Sequence, residues 1–154
     1  MQRRTFLKGT LAGSAVAVAV GAGLLTPRMV LAAWPKAAFD AKSVDDALAA
    51  LYGTADNSPS GDIKIKAPDI AENGAVVPVT VNSSIQGVDS IAIIAAKNTS
   101  PLSANFKLGA GTHATVATRL KMGKTSDVIA IVKANGKLYS ARKNVKVTIG
   151  GCGG

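Results

Sequence analysis

From Asp62 onward, apolar side chains recur at every second position. Ile63 and Ile65 alternate with Lys64 and Lys66, and Val77, Val79 and Val81 alternate with Pro78, Thr80 and Asn82. This is how a strand sets one face on a core and the other toward water. Asp89 to Ala96, Asn105 to Leu108, Ala114 to Met122, Val128 to Ala134 and Lys137 to Ile149 bring the expected total to about seven short strands, at the spacing of a sandwich. Pro78 has no N–H for a ladder, so an edge or a bulge is expected there. Asn135 and Gly136 both tolerate positive φ, which predicts a two-residue turn joining the last two strands. Upstream the period changes: Val44, Ala47, Leu48 and Leu51 fall on one helical face, Ser43 and Asp46 are spaced as in a capping box, and Gly53 follows as a stop. The run GTADNSPSG, from Gly53 to Gly61, reads as a polar linker. The fold class expected is all-β, an immunoglobulin-like β-sandwich of about seven strands preceded by one short helix, with a partly open barrel as the alternative.

The first 33 residues do not share these periods. A basic start, MQRRTFLKG, leads into an apolar stretch from Thr10 to Leu25, and small residues at Val30, Ala32 and Ala33 offer a cleavage site. Arg3 and Arg4, followed by Thr5, Phe6, Leu7 and Lys8, resemble the twin-arginine signal that exports folded proteins, so a periplasmic location is expected. The apolar stretch is rich in Gly and Ala and is followed by Pro27 and Arg28, which argues against a stable membrane anchor. The expected organisation is a signal over 1–33, a sandwich domain over 34–149 and an arm over 150–154. Charge changes with the signal removed. Without Arg3, Arg4, Lys8 and Arg28 the 18 basic residues become 14 against 9 acidic ones, and the net charge falls from +9 to +5. A balance this modest suits small anions or an acidic partner face, and it does not point to nucleic acid.

Chemistry is concentrated at the C-terminus. Cys152 is the only cysteine, flanked by Gly150, Gly151, Gly153 and Gly154 directly after the alternating Val145, Val147 and Ile149. One cysteine makes no internal disulfide, so an oxidising compartment leaves its thiol for other work. The glycines predict a flexible arm, at most roughly 17 Å when extended, whose thiol enters narrow pockets without hindrance from neighbouring side chains. A prenylation box needs three residues after the cysteine, and only Gly153 and Gly154 follow. Elsewhere the signals are weak. MGKTS at Met122 to Ser126 imitates a phosphate loop, but Thr118 stands where that motif needs glycine, so a hairpin loop is expected. His113 is the only histidine and no second metal ligand accompanies it, so no metal or cofactor is expected. With no nucleophile-elbow serine either, the chain reads as non-catalytic. Arg119, Lys121 and Lys124 read as the exposed side of a strand, with an anion-attracting face left open.

APDIAENGAVVPVTV from Ala67 to Val81, SPLSANF from Ser100 to Phe106, and the long run from Thr118 through VKVTIGGCGG to Gly154 resemble the SoxY family, the sulfur carriers of bacterial thiosulfate oxidation. The resemblance implies a carrier that pairs with SoxZ and holds thiosulfate-derived sulfur covalently on Cys152. It implies that a haem-containing SoxAX enzyme joins thiosulfate to the thiol, that SoxB releases sulfate, and that a sulfane dehydrogenase oxidises the remaining sulfur. Two other readings stay open: an interaction module that dimerises through a Cys152 disulfide, and a thiol oxidoreductase, which the absence of a CxxC pair disfavours.

Overall fold

A computed structural model describes residues 34–148. The signal segment with Arg3 and Arg4, and the arm with Gly150, Gly151, Cys152, Gly153 and Gly154, lie outside the described residues.

Among the described residues two short helices come first, α1 (Lys36–Asp40) and α2 (Val44–Tyr52). Helix α2 is the one expected. The Ser43 hydroxyl accepts the Asp46 N–H at 3.1 Å, and Gly53 ends the helix at φ 81°, where a side chain would be strained. The five residues of α1 are too few to display a period, so no pattern along the chain announces it. Its Lys36 and Asp40 form an exposed ion pair one turn apart.

Nine strands follow among the described residues: β1 (Ser58–Pro59), β2 (Ile63–Lys66), β3 (Ile70–Ala71), β4 (Val77–Ser83), β5 (Val88–Ala95), β6 (Leu102–Lys107), β7 (Thr115–Leu120), β8 (Ser126–Ala134) and β9 (Lys137–Val147). The larger sheet runs β1-β9-β8-β5-β6, with β3 also on β9, and the smaller runs β2-β4-β7. The seven strands longer than two residues correspond to the seven expected. The two extra ones are two-residue pieces that pair in parallel with β9 near its two ends, Ser58 opposite Tyr139 and Ile70 opposite Lys146. The stretch read as a linker is thereby corrected in part: β1 lies inside it and ties it to the sheet. Neither piece is long enough to alternate, so periodicity does not reveal them.

The strands β5 and β8 are buried on both faces, which explains their unbroken apolar runs. Ile91, Ile93, Val128 and Val132 pack toward Val77, Val79 and Val81 of the smaller sheet. Ala92, Ile94, Ile129 and Ile131 pack instead toward Ala38, Ala47 and Leu48 of the helices. The helices thus form a third layer rather than a mere lead-in. Each fully buried Ile or Leu stabilises the fold by roughly 1.5–3 kcal/mol before entropy is counted. A register shift between Ile93 and Ile94 turns Leu102 to the helix side, while Ala104 and Phe106 stay on the inter-sheet side.

Pro78 lies in the middle strand of the smaller sheet, yet the pairing with β2 ends at Lys66 opposite Thr80. Beyond that pair one side of β4 is an edge, and the missing N–H is accommodated there. Asn135 at φ 51° and Gly136 at φ 75° make the expected hairpin turn between β8 and β9. Among the described residues no helix is long and apolar enough to cross a membrane.

Candidate functional site

The last strand is held on both sides up to its final residues. On one side, Lys146 N–H donates to the Asp69 carbonyl at 2.9 Å and Thr148 N–H to the Ala71 carbonyl at 3.1 Å, so β3 grips the end of β9. On the other, the Thr125 hydroxyl accepts the Val147 N–H at 2.9 Å and donates to the Val147 carbonyl at 3.3 Å. Gly74 packs beneath the same point. Its carbonyl accepts the Met122 N–H at 2.6 Å, and a Cβ built on it would lie 2.8 Å from Val147 Cγ1 and collide with the Met122 carbonyl. Backbone this close leaves room for glycine alone. The chain is therefore fastened up to Thr148, the last described residue and four residues before Cys152.

The segment Met122 to Ser126, expected as a hairpin loop, joins different sheets instead. β7 pairs with β4, whereas β8 pairs with β5 and β9. Met122 is 2% exposed and fills the gap between the layers, so this loop is fastened into the core at its start. No helix follows it, as a phosphate loop would need. Asn98 holds the loop from the side: its amide donates to the Lys121 carbonyl at 2.6 Å and accepts the Gly123 N–H at 3.0 Å.

That bracing makes a cleft of about 620 Å³ lined by Lys97, Asn98, Thr99, Ser100, Lys121, Gly123 and Lys124. Lys121 and Lys124 project beyond the end of β7, and Arg119 is exposed on β7 itself. The sequence pattern does not bring Lys97 into this group; the tie from Asn98 does. His113 is exposed in a separate cleft formed by residues 83–89 and 108–114. Ile70 and Val76, 56% and 49% exposed, are large apolar side chains on the segments just before and after the Gly74 contact.

Residues 48–152 match the family model described as "Sulfur oxidation protein SoxY". The chain belongs to the SoxY family. The match runs through Cys152, so the SoxY pattern extends past Thr148, the last described residue. The structure of the sulfur carrier protein SoxY from Chlorobium limicola f thiosulfatophilum is similar at 47% identity, covering 70% of this chain and 97% of that one with a TM-score of 0.64. A superoxide reductase (neelaredoxin) from Ignicoccus hospitalis resembles the chain at 20% identity, covering 56% of this chain and 79% of that one with a TM-score of 0.50, a likeness of fold alone. No curated protein sequence matches the chain. For a SoxY chain, the feature that sequence reasoning misses is the clamp at the arm root. Thr125 sits inside a false phosphate motif, and Gly74 has the look of an ordinary turn residue.

Proposed function

We propose that this chain is a periplasmic sulfur carrier that holds thiosulfate-derived sulfur on Cys152 and presents it to partner enzymes on the arm 150–154. The observation that carries the reading is the family match extending through Cys152, five residues beyond the end of β9 and four beyond the fastened Thr148. A thiolate is a good sulfur nucleophile, and tethering keeps intermediates from diffusing away between steps.

Loading is an oxidation. The Cys152 thiolate and thiosulfate lose two electrons together, a new S–S bond forms, and the product is Cys152–S–S–SO₃⁻. A SoxAX-type haem enzyme is the electron acceptor. Water then attacks the terminal sulfonate sulfur at a SoxB-type hydrolase. The S–S bond to that sulfur breaks with its electron pair, leaving Cys152–S–S⁻, one sulfate and two protons. A sulfane dehydrogenase acts on the sulfur that remains. The carrier supplies the thiol and the reach, and SoxZ is its stable companion. Arg3 and Arg4 support export by the twin-arginine route.

The test is intact-mass spectrometry on protein from thiosulfate-grown cells, under non-reducing conditions, beside a Cys152→Ser variant. The expected result is sulfur-bearing adducts on the original chain that a thiol reductant removes, none on the variant, and loss of thiosulfate-dependent electron transfer in the reconstituted system. Both proteins should still co-elute with SoxZ. Adducts that persist on the Ser variant, or normal oxidation by it, would overturn the carrier reading. Loss of a disulfide dimer with oxidation intact would replace it with the structural module.

A further inference from the structure

The cleft that ends at Lys124, next to Thr125, is lined among the described residues by three ammonium groups, on Lys97, Lys121 and Lys124, by the hydroxyls of Thr99 and Ser100, and by no carboxylate. Neither of the two ion pairs among the described residues involves these lysines, since they join Lys36 to Asp40 and Lys143 to Asp69. Three like charges brought together without a counter-charge repel one another, and the fold nonetheless fastens the two segments that carry them through both polar ends of the Asn98 amide. The position matters as much as the charge. Lys124 immediately precedes Thr125, whose hydroxyl holds both backbone groups of Val147. From Thr148 to Cys152 the chain spans at most about 14 Å, which sets the reach of a group on Cys152 toward Lys124, whose neighbour Thr125 is bound to Val147.

We propose that this lysine cleft is a subsite for the terminal sulfonate of the Cys152 adduct, where the cargo rests between visits to partner enzymes. The inference rests on the carrier reading and adds a binding site to it. A sulfonate stays anionic over the whole working pH range and offers three oxygens, which matches three ammonium donors and two hydroxyls around an open cleft. Each exposed ammonium contributes little alone, and convergence on one tethered anion is what makes the contact effective. Hydrolysis replaces the sulfonate with a persulfide that lacks those oxygens, so the spent cargo loses this hold. The cleft therefore distinguishes the loaded carrier from the processed one.

The test uses the full mature chain and needs no partner enzyme. Tetrathionate converts the Cys152 thiolate to Cys152–S–S–SO₃⁻: the thiolate attacks a sulfane sulfur, a new S–S bond forms, and thiosulfate leaves with the electron pair. Backbone amide resonances of 97–100 and 121–124 are compared before and after loading, and the rate at which the uncharged reductant tris(hydroxypropyl)phosphine reduces the adduct is measured. Loading is expected to shift those amides, and reduction is expected to be several-fold faster in Lys97→Gln/Lys121→Gln/Lys124→Gln than in the original chain. In 1 M NaCl, where screening acts over about 3 Å, that difference should disappear. Lys64→Gln/Lys66→Gln/Lys137→Gln, which removes the same charge from exposed positions outside the cleft, should behave like the original. Lys124→Gln alone should give an intermediate rate. Amide shifts confined to the arm, or equal reduction rates in the cleft and control variants, would overturn the subsite. Failure of the carrier reading is seen separately, as the absence of adducts on protein from thiosulfate-grown cells.

Discussion

The Thr125 hydroxyl is bound to both backbone groups of Val147, accepting its N–H at 2.9 Å and donating to its carbonyl at 3.3 Å. One side chain thus does on that side of β9 what a further pair of ladder bonds would do. Thr125→Val keeps the shape and removes both bonds. The expected cost is about 1 kcal/mol, concentrated at the strand end, so amide exchange at Val147 should quicken roughly fivefold while the core amides of β5 and β8 are unchanged. Uniform acceleration across the sheet would show that Thr125 serves global stability rather than the arm root.

Gly74 meets Val147 from beneath, and a methyl group there has no space. Gly74→Ala should destabilise the fold by about 1–3 kcal/mol, because Met122 and Val147 must both shift to admit it. Urea unfolding would show a lower midpoint with an unchanged slope. Pairing with SoxZ should survive in the folded fraction, with slower turnover by partner enzymes because the root of the arm is displaced. An unchanged midpoint would mean that the strand end moves aside at no cost.

Most of the scaffold is legible in the sequence, because α2 and the longer strands each show either a period or an unbroken apolar run. Val77, Val79 and Val81 alternate because β4 has one wet face; the run from Ile91 to Ala95 does not alternate because β5 has none. What stays hidden depends on contacts between distant residues. Ile70 and Ala71 are too few to show a period, and only β9 makes them a strand. Lys97 joins Lys121 and Lys124 only through the Asn98 amide, across a separation of more than twenty residues. Cys152 is the opposite case. The role proposed for a lone cysteine between pairs of glycines rests on what surrounds it in sequence, and the residue lies outside the described part of the fold.

Tyr52 ends α2 and shares a 3.1 Å hydrogen bond with Ser90 at the start of β5, joining the helix layer to the sheet. Burial raises its pKa above the ordinary 10.0, against the lowering effect of the Ser90 contact. A raised folded-state pKa means the folded chain keeps this proton more tightly than the unfolded one. Its contribution to stability is therefore complete below about pH 10 and is lost as pH rises through the folded value. Unfolding midpoints between about pH 9 and 11 should fall more steeply for the original chain than for Tyr52→Phe, which has no proton to lose. Parallel pH profiles would exclude Tyr52 as the source of the slope.

Replacing Arg3 and Arg4 with Lys keeps the charge of the proposed leader and removes the paired guanidinium groups that a twin-arginine signal is built on. The precursor should accumulate in the cytoplasm, and a SoxZ chain without a leader of its own should remain there with it. Fractionation followed by immunoblotting measures this directly. Normal periplasmic levels of the double variant would mean that another route carries the chain.

Gly150 and Gly151 separate the pinned strand end from Cys152, and their value is expected to lie in the backbone angles and small size that other residues lack. Replacing both with Val favours continued extension along the direction of β9 and sets two branched side chains beside the thiol. The change lies outside the core of the described residues, whose fully buried members end at Val145. The unfolding midpoint should hold, and tetrathionate, being small, should still load the thiol. Hydrolysis by a SoxB-type enzyme, which must admit the thiol and its neighbours into a pocket, should slow at least tenfold in kcat/KM. Equal processing of the Val variant would show that steric access is not what these glycines provide. Slow loading by tetrathionate as well would place the defect in the thiol itself, so the two rates together separate reach into a partner from reactivity.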